Sequence, residues 1–269
     1  MAKVAIIGAS GRMGRMLIAA VDQAGHDLVA AVEYAGNPLL GEDAGSLAGM
    51  AANGIQLSSD KRDAIAQADF IIEFTGTAST LETVALCREL ATPIVIGTTG
   101  FNEDEEAQIS AAAEHLPIMK AGNYSVGVTV TLKILEQTAK ALGKPFDVEV
   151  IEAHHKHKVD APSGTALNMG QAVARGLGID LNDHAVFARE GITGERPDGV
   201  IGFSTIRGGD IVGEHTVMFA GIGERVEISH RATNRMNFAS GAVRAGVWVS
   251  AQQNGLYDMQ DVLGLKDIS

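Results

Sequence analysis

Between residues 4 and 120, short apolar runs alternate with longer amphipathic stretches. Residues 4–8, 27–33, 69–75, 93–97 and 116–120 are centred on short runs of Val, Ile, Leu, Ala, Phe or Met. Such runs mark strands buried on both faces. Helical spacing fills the gaps: residues 16–24, a short piece from Asp60, residues 79–90 with apolar positions 81, 84, 85 and 86, and residues 102–115. Residues 35–54 carry Gly36, Gly41, Gly45, Gly49 and Gly54 and read as loop, with a short strand over 55–58. Strand and helix in alternation predict an α/β fold, a Rossmann-like doubly wound parallel sheet.

From Ser125 the rhythm changes. A long helix spans 126–142 and is stopped by Gly143 and Pro145. A strand over 146–153 leads into a basic loop, and Ser163 is placed to cap a helix running to about residue 176. Strands then dominate: 185–189, 200–207, 210–220 and 224–232. The last two are joined by Gly221-Ile222-Gly223, a hairpin signature. This stretch reads as an α+β unit with a mixed or antiparallel sheet. A final helix over 236–253 carries Phe238, Ala242, Ala245 and Val249 at helical spacing and closes at Asn254-Gly255. Such a helix returns to cover the first domain, which divides the chain into 1–125 with 236–269, and 126–235.

Composition narrows the possibilities. The 269 residues allow two ordinary domains, and 46% hydrophobic with 20% charged residues is globular. A net charge of −12 argues against a nucleic-acid partner. The single cysteine, Cys87, excludes a disulfide within the chain and sits mid-helix, where thiols are inert packing. No apolar run reaches a membrane span, so the expected location is cytoplasmic.

Two stretches carry chemistry. Residues 8–14, Gly-Ala-Ser-Gly-Arg-Met-Gly, follow the first strand and open the first helix, and Glu33 ends the second strand. Glycines let the backbone approach a pyrophosphate, a helix start binds its charge, and an acidic residue takes a ribose hydroxyl. Ser10 holds the second glycine position of the strict motif, so a tight turn that binds nothing is the bland alternative. The second stretch, residues 152–166, places His154, His155, Lys156, His157 and Lys158 at the end of a strand and before Ser163-Gly164-Thr165. Histidine titrates near neutrality, lysine donates, and a helix start suits a carboxylate. A solvated basic loop is its plain reading. A metal site of His154, His155 and His157 is disfavoured by their adjacency and by two lysines among them, so no metal is expected. A non-catalytic NAD(H)-sensing protein would explain the glycine turn but not the basic cluster. A dehydrogenase acting on an aldehyde through Cys87 is disfavoured by its helical placement.

Together the motifs resemble the 4-hydroxy-tetrahydrodipicolinate reductase (dihydrodipicolinate reductase) family of bacterial lysine and diaminopimelate synthesis. The resemblance rests on residues 8–14, 73–75, 97–101, 123–127, 152–166, 188–196 and 202–215, and runs nearly end to end. It implies a homotetrameric oxidoreductase with a dinucleotide-binding domain (1–125 and 236–269) and a substrate-binding and oligomerisation domain (126–235). Hydride would pass from NADH or NADPH to a small cyclic dicarboxylate. By the motif, His154 is proton donor or acceptor and Lys158 a proton donor. His155, Ser163, Gly164 and Thr165 would meet the substrate. The cofactor would touch Gly8, Ala9, Ser10, Gly11, Arg12, Met13, Glu33, Tyr34, Gly97, Thr98, Thr99, Ala121, Gly122, Asn123 and Tyr124. Tyr34 stands where well-known members carry an arginine suited to a 2′-phosphate. With Arg12 expected as the nearest cation and Lys3 as a weaker one, NADH is the favoured nucleotide.

Overall fold

The computed structural model describes residues 1–267, so Ile268 and Ser269, expected in the first domain, lie outside the described residues. The chain forms two compact units, one of Met1–Val126 and the segment from Met236 on, the other of Gly127–Arg235.

In the first unit, β1 (Lys3–Ile7) turns into α1 (Arg12–Gln23) and β2 (Asp27–Val32). There follow α2 (Ala44–Leu47), β3 (Leu57–Ser58), α3 (Lys61–Gln67), β4 (Phe70–Glu73), α4 (Thr77–Leu90), β5 (Ile94–Ile96), α5 (Glu103–Ala113) and β6 (Pro117–Lys120). Then come α6 (Val126–Leu142), β7 (Asp147–His154), α7 (Gly164–Leu177), α8 (Leu181–His184), β8 (Ala185–Val186), β9 (Ile201–Arg207), β10 (Gly213–Ala220) and β11 (Arg225–Ala232), mostly in the second unit. The chain re-enters the first unit as α9 (Met236–Val249), β12 (Gly255–Tyr257) and α10 (Met259–Leu263).

The first sheet is parallel and runs β12-β6-β5-β4-β1-β2-β3. Alternation along its strands feeds two cores. Val4, Ile6, Phe70 and Ile72 pack with α1 and α9; Ala5, Ile7, Ile71 and Ile94 pack with α3, α4 and α5. Both faces are covered, which is why these strands lack polar alternation.

Three expectations shift. The first helix begins at Arg12, not at residue 16, because Gly14 lies inside it. A Cβ on Gly14 would fall 2.2 Å from the Gly8 carbonyl oxygen, so glycine here serves close packing and does not break the helix. The final helix stops at Val249, and the chain adds an edge strand and a short helix that its sequence does not signal. The strand expected over 185–189 is only Ala185–Val186, behind the one-turn helix α8.

The second unit has a mixed sheet, β11-β10-β7-β9-β8. Strands β7, β8 and β9 pair in parallel, and β10 is antiparallel to β7 and β11. Helices α6 and α7, through Leu135 and Met169, share a core with its inward side chains Val148, Val150 and Val217. On β7 the inward positions are Val148, Val150, Glu152 and His154. The same face therefore passes from apolar core to ionisable chemistry within one strand.

Candidate active site

In the first unit, Gly8 adopts φ +84° and donates its N–H to Val32 O at 2.9 Å. A Cβ there would lie 2.5 Å from Phe74 O, so only glycine lets the turn pass this close to the end of β4. Gly11, the N-cap of helix α1, offers no side-chain cap, which leaves the first N–H groups of the helix to an anion. Ser10 gives both its N–H and its hydroxyl to Glu33 Oε1, each at 2.8 Å, tying the turn to the end of β2. Ala9 is buried beneath the turn, and Met13 packs on the core. These features fit an adenine dinucleotide.

Beside Glu33 lies a cavity of about 810 Å³, walled by Tyr34, Lys61, Arg62 and Ser79. Lys61 and Arg62 are cations that spacing from the turn does not reveal, and they replace Arg12 as the ones lining this cavity. Lys3 opens β1, at the opposite end of the strand from the glycine turn. Lys61 Nζ is held by Ser79 O at 3.1 Å and Glu82 Oε2 at 3.1 Å; Arg62 pairs with Glu89. Next along the edge, Thr98 Oγ1 accepts the Thr75 N–H at 3.1 Å and lies 2.8 Å from Thr80 Oγ1. The Thr75 hydroxyl donates to Glu73, a fully buried carboxyl that burial pushes up. A Cβ on Gly97 would come 2.1 Å from the Phe74 ring, and Thr99 closes against Gly122. Ala121 and Gly122 follow β6, and Asn123 Oδ1 accepts the Ser125 N–H. Tyr124 is buried, its hydroxyl donating to Ile96 O at 2.6 Å, so its ring braces the strand ends.

In the second unit the ionisable cluster is centred on Glu152, which is 1% exposed. Arg207 grips it with two N–H donors at 2.8 Å each. His154 Nδ1 lies 2.6 Å from Oε2, and the Ser163 N–H donates to Oε1 at 3.0 Å. Burial alone would raise the Glu152 pKa, but Arg207, His154 and the Ser163 N–H reverse this and hold it at about 2. An ionised carboxylate fixes the His154 tautomer: Nδ1 carries the proton, and Nε2 is left for chemistry. Burial lowers the His154 pKa, with Glu152 opposing, so the ring is neutral near pH 7. Gly213 leaves room at Nε2, since a Cβ there would lie 3.1 Å away.

The basic loop leaves β7 in a tight course. The Gly208 N–H donates to His154 O, and the His155 N–H to Ile211 O. Lys158 Nζ pairs with Asp160 Oδ2 at 2.8 Å, and Arg207 also donates to Asp160 O. After a cis Ala161–Pro162 bond, Ser163 caps α7 through Oγ, which accepts the Ala166 N–H at 3.1 Å. Gly164 at the first turn is exposed, whereas Ser163 is buried. His155 Nε2 lies 3.4 Å from Arg235 Nη2, and its ring is 6.2 Å from that of His157. Among the described residues, no three His, Cys, Asp or Glu side chains are disposed to hold a metal. Cys87 is buried, and burial pushes its thiol far up.

Arg207 and His215, which lie in the 202–215 stretch of the resemblance without an assigned role, and Arg235, which has no signal in a one-dimensional reading, join this cluster. Arg207 faces His154 across the parallel β7–β9 register, and His215 faces Glu152 across the antiparallel β7–β10 register. Alternation says which side each takes, but not which residue stands beside it.

Residues 2–124 match the family description "Dihydrodipicolinate reductase, N-terminus", and residues 127–263 match "Dihydrodipicolinate reductase, C-terminus". A 4-hydroxy-tetrahydrodipicolinate reductase of Acinetobacter baumannii is 56% identical over 266 residues, covering 99% of this chain and 97% of its own. One from Hahella chejuensis is 54% identical over 267 residues, covering 99% and 100%. Among solved structures, a dipicolinate-bound dihydrodipicolinate reductase from Paenisporosarcina sp. TG-14 superposes with a TM-score of 0.77 at 27% identity, covering 97% of this chain and 98% of its own.

Proposed function

The chain belongs to the dihydrodipicolinate reductase family, and we propose here how its own residues divide that family's reaction. It is an oxidoreductase that passes a hydride from a nicotinamide nucleotide to 4-hydroxy-tetrahydrodipicolinate, giving tetrahydrodipicolinate in lysine and diaminopimelate synthesis. The first unit, with residues 8–13, Glu33, Tyr34, 97–99 and 121–124, holds the nucleotide. The second, with residues 154–165, holds the substrate.

The nucleotide supplies the hydride. The 4-hydroxyl leaves as water, taking up one proton while the neighbouring ring carbon gives one up; hydride addition to the conjugated ring this creates leaves negative charge that one further proton neutralises at another atom. The observation that carries the assignment is Glu152 Oε2 at 2.6 Å from His154 Nδ1. It fixes His154 so that Nε2 alone exchanges a proton, and it stabilises the ring when that proton arrives. Lys158 is a proton donor beside it, held ready by Asp160. One substrate carboxylate sits on the first N–H groups of α7 at Gly164 and Thr165; Arg235 supplies charge to the other, with His155 beside it.

Both nucleotides serve, with NADH favoured. Glu33 suits a ribose diol and repels a 2′-phosphate, while Lys61 and Arg62 are already matched by Glu82 and Glu89. The mixed sheet gives a tetramer, consistent with exposed Ile206 on its outer face, and sedimentation would report the assembly. Location in the cytoplasm follows from the biosynthetic role; among the described residues no helix is long and apolar enough to cross a membrane. A steady-state assay with fresh substrate and each nucleotide tests the whole reading. Turnover with a higher kcat/KM for NADH is expected, and nucleotide binding without turnover would refute it.

A further inference from the structure

His215 lies outside the basic motif, 52 residues from Ser163 in sequence, yet its Nε2 is 2.9 Å from Ser163 Oγ. Both side chains are buried, at 4% and 2% exposed. The His215 ring also meets His154 edge-on, with centroids 5.1 Å apart. Ser163 is thereby clamped from two sides. Glu152 takes its N–H and His215 its hydroxyl oxygen, while that same oxygen caps Ala166 N–H.

The protons can be placed. His215 Nδ1 is buried without a hydrogen-bond partner. A stranded N–H there costs more than a bare lone pair with protein on all sides, so the proton belongs on Nε2. Burial, and next the neighbouring His154, keeps the ring neutral by lowering its pKa to about 4. Ser163 Oγ then receives two N–H donors, from Ala166 and from His215. Both of its lone pairs are filled, so its own proton is left to donate.

We propose that His215 is a positioning residue for substrate. Through its Nε2–H bond to Ser163 Oγ, it fixes the first turn of α7 and turns the Ser163 hydroxyl into a donor for the substrate carboxylate. The inference rests on the reading that Gly164 and Thr165 hold that carboxylate. His230 pairs with His215 across β10 and β11, and burial likewise lowers its pKa.

The test uses the full chain with dipicolinate as probe. His215→Phe keeps a ring against His154 but removes the hydrogen bond; His215→Gln retains an amide N–H able to reach Ser163. Calorimetry should show dipicolinate binding weakened about tenfold in the Phe variant, with the Gln variant within about threefold of wild type. Substrate KM should rise with it, kcat should change by less than about threefold, and NADH affinity by fluorescence titration should hold. Dipicolinate affinity unchanged in the Phe variant overturns the proposal. If that variant does not fold, the ¹⁵N imidazole spectrum of the wild type decides. His215 should be the Nε2–H tautomer and should shift on dipicolinate addition; an Nδ1–H tautomer or an unmoved resonance overturns the proposal. Failure of the underlying reading looks different: the Gly164 and Thr165 amide resonances would themselves stay still when dipicolinate is added.

Discussion

Glu152 and His154 stand two residues apart on β7, both facing inward, with Oε2 and Nδ1 separated by 2.6 Å. A strand puts residues i and i+2 on one face, so this contact needs no loop to create it. Glu152→Gln removes the charge while keeping the shape. Arg207 then loses its bidentate partner, and His154 its fixed tautomer. We expect kcat to fall by about 10²-fold or more, the range of a lost proton-transfer group, with NADH affinity preserved. Single-turnover kinetics beside nucleotide titration would check it, and near-normal kcat would remove Glu152 from the mechanism.

Acid should weaken the fold in two stages. His215 titrates at about 4 in the fold against 6.5 in an open chain, so the unfolded state takes up its proton first. Stability tied to the neutral ring is intact above pH 6.5 and is lost as pH falls through 4. A shift of that size corresponds to about 3 kcal/mol. Glu152, at about 2 against 4.5, adds a second loss over that lower window as its carboxylate is protonated. Thermal melts from pH 8 to 3 should therefore be flat at first and fall below about 6.5. The His215→Gln variant should fall less between 6.5 and 4; identical curves would sink the assignment.

Lys158→Ala should cripple turnover and spare folding. Its ion pair with Asp160, itself half exposed, contributes no more than about 1 kcal/mol to stability. Loss of a proton donor costs about 10²–10⁴-fold in rate. A variant with wild-type kcat and an unchanged Tm would show that Lys158 is only a surface charge.

Tyr34→Arg should move the nucleotide preference toward NADPH by about 1–3 kcal/mol, the worth of a hydrogen bond to a charged group. Glu82→Gln should act in the same direction by freeing Lys61, which now spends its charge on Glu82 at 3.1 Å. Both gains should shrink at high salt. Comparing kcat/KM for the two nucleotides in each variant checks this. A wild type that already prefers NADPH strongly would mean that Lys61 or Arg62 leaves its carboxylate to meet the phosphate.

Much of this protein is present in one dimension. The apolar runs of β1, β2, β4, β5 and β6 declare strands covered on both faces, because such strands need no polar side. Gly8, Gly11 and Gly14 announce a close turn, Glu33 marks the end of β2, and Ser163 caps α7 as its type suggests. His154 and Lys158 are visible because histidines and lysines crowd one strand end.

Tertiary structure decided the rest. Arg207 reaches Glu152 from 55 residues away, and His215 reaches Ser163 from 52. Lys61 arrives at the cavity beside Glu33 from the start of α3. The edge strand β12 has only Gly255–Tyr257, too short for any period, and is a strand because β6 offers it a free edge. Periodicity along a chain encodes which face a side chain takes. The register between strands, and so the neighbour on that face, is set by how whole faces bury together, and no local pattern contains it.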